Sequence, residues 1–139
     1  MLDGMEQRIN VITLVVPDVQ RARRFYVEAL GWTPSLEAEG ILMIRVGEKL
    51  ILSLWADDDA AREIGPVSRG GRLPFTLAHN VFSPDEVDAV LEDAAAGGAT
   101  AAGAQQRDWG GYSGYFDDPF GFTWEVAHNP YPIGDLTLP

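Results

Sequence analysis

The stretch Tyr115-Phe-Asp-Asp-Pro-Phe-Gly-Phe-Thr-Trp-Glu-Val126 decides the fold. At its centre, Asp118 to Gly121 has the composition of a tight turn, because proline fixes φ and glycine accepts a positive φ. Apolar and aromatic residues flank this turn on both sides, which predicts a strand–turn–strand hairpin. The second strand carries a single carboxylate, Glu125, between Trp124 and Val126. Such a group either lies in water at a sheet edge or points into a site.

Two copies of one pattern of elements make up most of the chain. In the first copy, a β-branched strand from Ile9 to Val16 precedes a helix over residues 18–30, which Asp18 caps. In the second, a strand from Pro74 to Phe82 precedes a helix over residues 84–96, which begins at the capping-box residues Ser83 to Glu86. Short strands follow each helix, so the predicted unit is β-α-β-β-β.

These strands complete one predicted domain. The sequence predicts an α+β domain over residues 9–128, with unit one at 9–56, a linker at 57–73 and unit two at 74–128. Residues 1–8 and 129–139 are predicted to be tails. The further strands are predicted at Trp32 to Glu37, Gly40 to Val46, Lys49 to Trp55, Thr100 to Gln106, Tyr112 to Phe116 and Phe122 to Ala127.

This organisation resembles the vicinal oxygen chelate superfamily, which includes glyoxalase I, extradiol dioxygenases and bleomycin-resistance proteins. The helix motif Phe25-Tyr26-Val-Glu-Ala-Leu-Gly-Trp32, the turn Asp118 to Gly121 and the following Glu125 carry the resemblance, which covers nearly the whole chain. It implies two tandem β-α-β-β-β units that form a curved mixed-sheet cup with helices outside. In the metalloenzymes of the superfamily, the cup holds the ligand and the glutamate at the position of Glu125 binds the metal.

The resemblance also implies where metal ligands would lie, on the first and last strand of each unit. In this sequence those positions are Val11, Ser53, Thr76 and Glu125. Valine offers no donor and neutral hydroxyls bind hard cations weakly, whereas a catalytic metal takes about three protein ligands. We therefore expect no metal. No phosphate-binding or dinucleotide-binding motif is found either, so we expect no cofactor.

Side-chain alternation along the strands predicts which residues face the cup. Thr76 and Asn80 share one face of their strand, and Glu125 lies opposite the large residues of its own strand, which we expect to pack beneath the helices. The glycine-rich segment from Trp109 to Tyr115 supplies either aromatic walls for a pocket or a tight bend packed on the core. The predicted ligand-binding residues are Thr76, Asn80, Trp109, Tyr112, Tyr115 and Glu125.

The two histidines, His79 and His128, each precede an asparagine near a strand end. If their strands are parallel neighbours, the pair lies at one rim and could bind a metal or act as acid and base. The alternative is that both form hydrogen bonds to loops. Should the protein be an enzyme, Glu125 and His79 are the candidate catalytic residues.

Composition limits the partners. The formal charge of −11 disfavours nucleic acid and anionic membranes. The acidic run from Asp57 to Asp59 is interpreted as a solvated loop rather than a cation site. Cysteine is absent and no signal-peptide pattern is seen, so we predict a cytoplasmic protein. Exposed strand edges predict a homodimer.

Three interpretations of the function fit these observations. The first is metal-free binding of a small molecule, cationic or aromatic, in the manner of the bleomycin-resistance proteins. The alternative is a lyase, isomerase or dioxygenase that uses Glu125 with a metal or a histidine. A third interpretation is a structural or regulatory module whose cup holds no physiological ligand.

Overall fold

The computed structural model describes residues 4–139. It contains two mixed β-sheets, each built from one β-α-β-β-β unit, so the predicted fold class is confirmed. The tail predicted over residues 1–8 lies partly outside the described residues, and residues 4–8 form no helix or strand.

The strands are β1 (Val11–Val16), β2 (Leu36–Ala38), β3 (Ile41–Gly47), β4 (Leu50–Ala56), β5 (Leu77–Asn80), β6 (Thr100–Ala101), β7 (Gln105–Gln106), β8 (Tyr112–Asp117) and β9 (Thr123–His128). The helices are α1 (Val19–Arg23), which continues as a π-helical segment (Arg24–Ala29), then α2 (Asp57–Ile64), α3 (Pro84–Ala96) and α4 (Pro132–Asp135).

The two sheets repeat one topology. Sheet one has the strand order β1-β4-β3-β2, and sheet two has the order β5-β9-β8-β6, with β7 also paired to β8. In each sheet the first strand of the unit runs parallel to the last, and the other pairs are antiparallel. Among the helices of residues 4–139, none has the length and apolar character needed to cross a membrane.

Both predicted helix starts are confirmed. The Asp18 carboxylate accepts hydrogen bonds from the backbone N–H groups of Gln20 and Arg21, which are otherwise orphan donors of the first turn. The Ser83 hydroxyl accepts from the Glu86 N–H at 3.3 Å. The Glu86 carboxylate, however, accepts from the backbone N–H of Phe82 rather than from that of Ser83, so the capping box is shifted by one residue on that side.

The segment predicted as a linker, residues 57–73, contains a helix in its first half. Residues Asp57 to Ile64 form helix α2, and the three aspartates that we interpreted as a solvated loop make up its first turn. Negative side chains at a helix N-terminus interact favourably with the helix dipole. Ala60 is fully buried, so burial of this small side chain holds α2 against the neighbouring strands.

Three predicted strands differ clearly from the structure. The strand predicted from Trp32 to Glu37 is reduced to β2, the one predicted from Pro74 to Phe82 is confined to β5, and the one predicted from Thr100 to Gln106 is broken into β6 and β7. Proline lacks the N–H that a ladder needs, and Gly103, between β6 and β7, has no side chain to pack.

The two units share one hydrophobic core, which they build from the faces that carry the helices. The ring of Phe25 lies 6.0 Å from that of Phe116, and the ring of Tyr26 lies 6.2 Å from that of Trp124, so the first helix contacts both sheets. Because strand residues alternate, the opposite faces, which carry Ser53 and Glu125, turn away from this core. Within one chain, the surfaces expected to line a cup therefore lie on the outside.

Candidate functional site

Glu125 lies on β9, on the outward face of sheet two. Its neighbours along the strand, Trp124 and Val126, are buried in the core. Its partners across the sheet are Ala78 on β5 and Tyr115 on β8. The Tyr115 hydroxyl donates a hydrogen bond to Glu125 Oε2 at 3.1 Å. Because Ala78 is small, the carboxylate is open on its β5 side.

Tyr115 is held from both sides. The guanidinium group of Arg107 lies over its ring, 5.7 Å from the centroid, and bonds to the hydroxyl and carbonyl oxygens of Ser113. Burial, and then the hydrogen bond to Glu125, raise the pKa of Tyr115. The phenol therefore stays protonated near neutral pH and remains a donor to the carboxylate.

A second carboxylate on this face, Asp117, is neutralised. Arg72 bonds to both of its oxygens at 3.0 and 3.3 Å, and the Thr123 hydroxyl donates to it at 2.6 Å. The hydrogen bond from Arg72 is the main reason that the pKa of Asp117 is lowered. Glu125, in contrast, forms no ion pair with any residue between 4 and 139. It is thus the carboxylate of this face whose charge is left for a ligand.

One predicted ligand-binding residue lies on the wrong side of the sheet. Tyr112 is an odd number of positions from Tyr115 on β8, so its side chain turns to the helix-bearing face. There its hydroxyl donates to Asp88 of α3 at 2.7 Å. Tyr112 therefore holds α3 on the sheet and does not join Glu125.

The remaining predicted residues are spread around the face. Trp109 packs its ring against Gly111, at a position where a side chain on Gly111 would overlap it. Asn80 donates its amide to the Thr137 hydroxyl at 2.9 Å, so the C-terminal segment partly occupies that position. Thr76 borders a cavity rather than Glu125.

The strands that carry the two histidines, β5 and β9, are parallel neighbours, as the hypothesis of a histidine pair requires. His79 lies opposite Val126 in their register, two residues before His128. His128 Nδ1 is 3.3 Å from the carbonyl oxygen of Val81. Both rings belong to the helix-bearing face, whereas Glu125 belongs to the outward face. Glu125 and His79, the candidate catalytic residues, therefore lie on opposite faces of sheet two.

The four positions that the fold assigns to a metal do not fit one. Val11 has no donor atom, Ser53 is 1% exposed and Thr76 offers a neutral hydroxyl, which leaves Glu125 as the charged ligand. No group of three His, Cys, Asp or Glu side chains suited to a metal is found among residues 4–139. The donor set is too poor to replace the hydration shell of a divalent ion.

A cavity between the units was missed by the sequence analysis. Its volume is about 800 Å³, and most of its apolar lining belongs to the helix-bearing faces of the two sheets. At the edge strand β5 it also reaches Thr76 and Ala78, which share the face of Glu125. A smaller cavity of about 160 Å³ adjoins it and shares the walls made by Trp32, His79 and Trp124. Its lining comes from both units, so no single motif indicated it, although Trp32, placed just after the first helix, was a signal.

The comparisons agree with this fold. The model of the Glyoxalase/Bleomycin resistance protein/Dioxygenase superfamily matches residues 8–126. A glyoxalase-related enzyme from Fulvimarina pelagi is 32% identical, with 89% of each chain covered and a TM-score of 0.82. A search of curated proteins found no match.

Two more distant structures share the fold alone. A glyoxalase/bleomycin resistance protein/dioxygenase from Nocardioides is 24% identical over 91% of this chain and 86% of its own, with a TM-score of 0.76. Lactoylglutathione lyase from Agrobacterium tumefaciens is 22% identical over 91% and 96%, with a TM-score of 0.68. From the family model and the Fulvimarina structure, the chain belongs to the glyoxalase/bleomycin resistance protein/dioxygenase superfamily.

Proposed function

We propose that the protein is a cytoplasmic, metal-independent binder of a small organic cation, which it holds on the Glu125 face of sheet two. The observation that carries the proposal is the half-buried carboxylate of Glu125, which lacks an ion pair with a described residue and lies beside the ring of Tyr115. A positive group could pair with the carboxylate and contact that aromatic ring. Metal-dependent catalysis has less support, because the donor set around Glu125 is poor and both histidines lie on the other face.

The Glu125→Gln substitution is expected to weaken binding of an organic cation about tenfold, which corresponds to ~1.4 kcal/mol. The amide keeps the size of the side chain but removes its charge. Since Glu125 is partly exposed, we expect the free energy of unfolding to change by less than about 0.5 kcal/mol. The measurement is isothermal titration of benzyltrimethylammonium, with benzyl alcohol as the uncharged comparison ligand.

The matched control is Glu92→Gln, which removes a carboxylate from the exposed side of α3. It should leave binding of the cation unchanged. Equal affinity of the Glu125→Gln variant and the unchanged protein would contradict the proposal, as would binding that disappears on treatment with a chelator.

We also propose that a second copy of the chain completes the cup. The outward faces of both sheets expose apolar or aromatic side chains, with Val11 47% and Tyr115 40% exposed. The strands β1 and β5 are free edges of their sheets, and such edges pair readily with another chain. A homodimer would bring the Val11 face of one copy over the Glu125 face of the other.

The Val11→Glu substitution is expected to convert the dimer to a monomer and to weaken cation binding in parallel. It places a second negative charge opposite the Glu125 face of the other copy, where two carboxylates repel each other. Light scattering at micromolar concentration should give twice the chain mass of 15.2 kDa for the unchanged protein and the single mass for the variant. Ile133→Glu, at an exposed apolar position of α4, is the control, and it should remain dimeric. A monomeric unchanged protein would refute this part of the proposal.

A further inference from the structure

The cavity between the units is a concave site whose apolar walls belong mainly to the helix-bearing faces of the two sheets. Strands β1, β3 and β4 provide one apolar wall through Ile12, Ile44 and Leu52, and β5 provides Leu77 on the other side. Its volume of about 800 Å³ lies in the range of small-molecule pockets, which are ~300–1,000 Å³. An aromatic molecule of two fused rings can be enclosed in such a space.

Two indole rings form one end of this cavity. Trp32 and Trp124 lie with their centroids 5.8 Å apart at an interplanar angle of 72°. One ring therefore offers its face and the other its edge to the same space. Planar aromatic molecules pack favourably in both ways, face on face when offset and edge to face. The end wall thus favours an aromatic ligand over an aliphatic one.

His79 brings an imidazole ring to this space. The residue lines both the large cavity and the small one, and its side chain forms no hydrogen bond with another residue between 4 and 139. Burial lowers the pKa of His79, against the opposing charge of Glu86. The imidazole is therefore neutral at pH 7, with one ring nitrogen free to accept a hydrogen bond.

Two charged residues, Arg45 and Glu48, also line the cavity. Arg45 bonds to the backbone carbonyl oxygens of Gly47 and Glu48, at 3.2 and 2.8 Å, so its guanidinium is engaged by its own turn. Glu48 carries the opposite charge beside it. The walls farther in are apolar and offer no partner for an ion, which would lose its hydration on entry.

We propose that this cavity binds an uncharged aromatic molecule with one hydroxyl group, of the phenol class, whose proton is donated to His79 while its rings pack against Trp32 and Trp124. This site differs from the Glu125 face in the ligand that it takes. It takes a neutral molecule, whereas the outward face takes a cation, and the two sites are neighbours at the edge strand β5.

The test uses N-phenyl-1-naphthylamine, an uncharged probe whose fluorescence rises in apolar surroundings. We expect the protein to bind the probe with one-to-one stoichiometry. 2-Naphthol should displace it about three- to tenfold more strongly than 2-methylnaphthalene, which has the same shape without the hydroxyl, since one neutral hydrogen bond has about that effect. His79→Leu should remove this preference, whereas His128→Leu, at the other histidine, should keep it.

A second pair of variants tests whether the probe binds in the cavity. Ile12→Trp fills the cavity, and Thr33→Trp blocks its mouth at an exposed position where folding is not at risk. Either folded variant should lose probe binding, and circular dichroism checks the fold. The proposal is overturned by absence of probe binding, by equal displacement with the two competitors, by a preference that survives His79→Leu, or by full binding in Thr33→Trp. Since the probe and competitors are uncharged, a negative result here is distinct from failure of the cation site.

Discussion

Phe25→Ala is expected to lower the free energy of unfolding by about 3–5 kcal/mol, the usual cost of removing a buried phenylalanine ring. The ring is 1% exposed and lies in the core that both units share. It packs edge-on against Tyr26, with centroids 4.9 Å apart, and also contacts Phe116 of sheet two. Because it touches both units, the neighbours on either side cannot close the gap without moving a sheet.

A denaturant titration followed by tryptophan fluorescence measures this effect. Phe82→Ala is the matched control, since that ring is 56% exposed and its loss should cost less than about 1 kcal/mol. The slope of unfolding free energy against denaturant should stay the same in both variants. A change of less than 1 kcal/mol in Phe25→Ala would mean that the first helix does not bridge the two sheets.

Local chemistry explains why so much of the fold was predictable. A capping aspartate, a proline–glycine turn and runs of alternating residues each specify a backbone conformation within a few residues. Gly31 and Gly121 have φ of +80° and +89°, as the helix end and the tight turn require. These signals do not depend on the rest of the chain, so the two predicted helices and the hairpin are confirmed.

Features that depend on distant parts of the chain were not predictable in this way. Helix α2 has a polar, acidic sequence, and what fixes it is the burial of Ala60 against strands from elsewhere in unit one. Tyr112 was assigned to the pocket because it is aromatic and close in sequence to Tyr115. Its partner, Asp88, lies on α3, and nothing in the local sequence announces that bond.

In the candidate site, too, some features follow from the local sequence and others depend on distant parts of the chain. Alternation along β9 correctly separated Glu125 from Trp124, because alternation is a local property of any strand. Alternation does not say how the two units meet. The helix-bearing faces turned out to share the core, which turned the Glu125 face outward and created the cavity beside His79. Both consequences belong to the packing of one unit on the other.

Hydrogen bonds to the carboxylate of Asp118 join the two units through polar groups. This carboxylate is 4% exposed. Its Oδ1 accepts from the backbone N–H groups of Phe120 and Phe122, both at 2.9 Å, and its Oδ2 accepts from the Tyr26 hydroxyl at 2.6 Å. The Tyr26 oxygen in turn accepts from the Trp124 indole at 3.1 Å. One side chain thus holds the turn of unit two and ties it to the first helix of unit one.

Asp118→Ala is expected to destabilise the protein by about 3–5 kcal/mol, because three donors lose their acceptor at once and each unsatisfied buried group costs about 1–3 kcal/mol. Asp118→Asn keeps an oxygen for the two backbone donors and should cost about 1–2 kcal/mol. Burial raises the pKa of Asp118 despite these bonds. A carboxyl whose pKa is higher in the folded state contributes stability that is present at low pH and is lost as pH rises through that pKa.

The cost of Asp118→Asn should therefore be larger at pH 4 than at pH 7, since the asparagine variant lacks this titration. Thermal and denaturant unfolding of both variants at the two pH values measures the difference. Tyr26→Phe, which removes one donor and leaves the turn bonds intact, should fall between the asparagine and alanine variants or match the former. If Asp118→Ala cost no more than Tyr26→Phe, the two backbone bonds in the turn would contribute nothing, and the hairpin would owe its shape to proline and glycine alone.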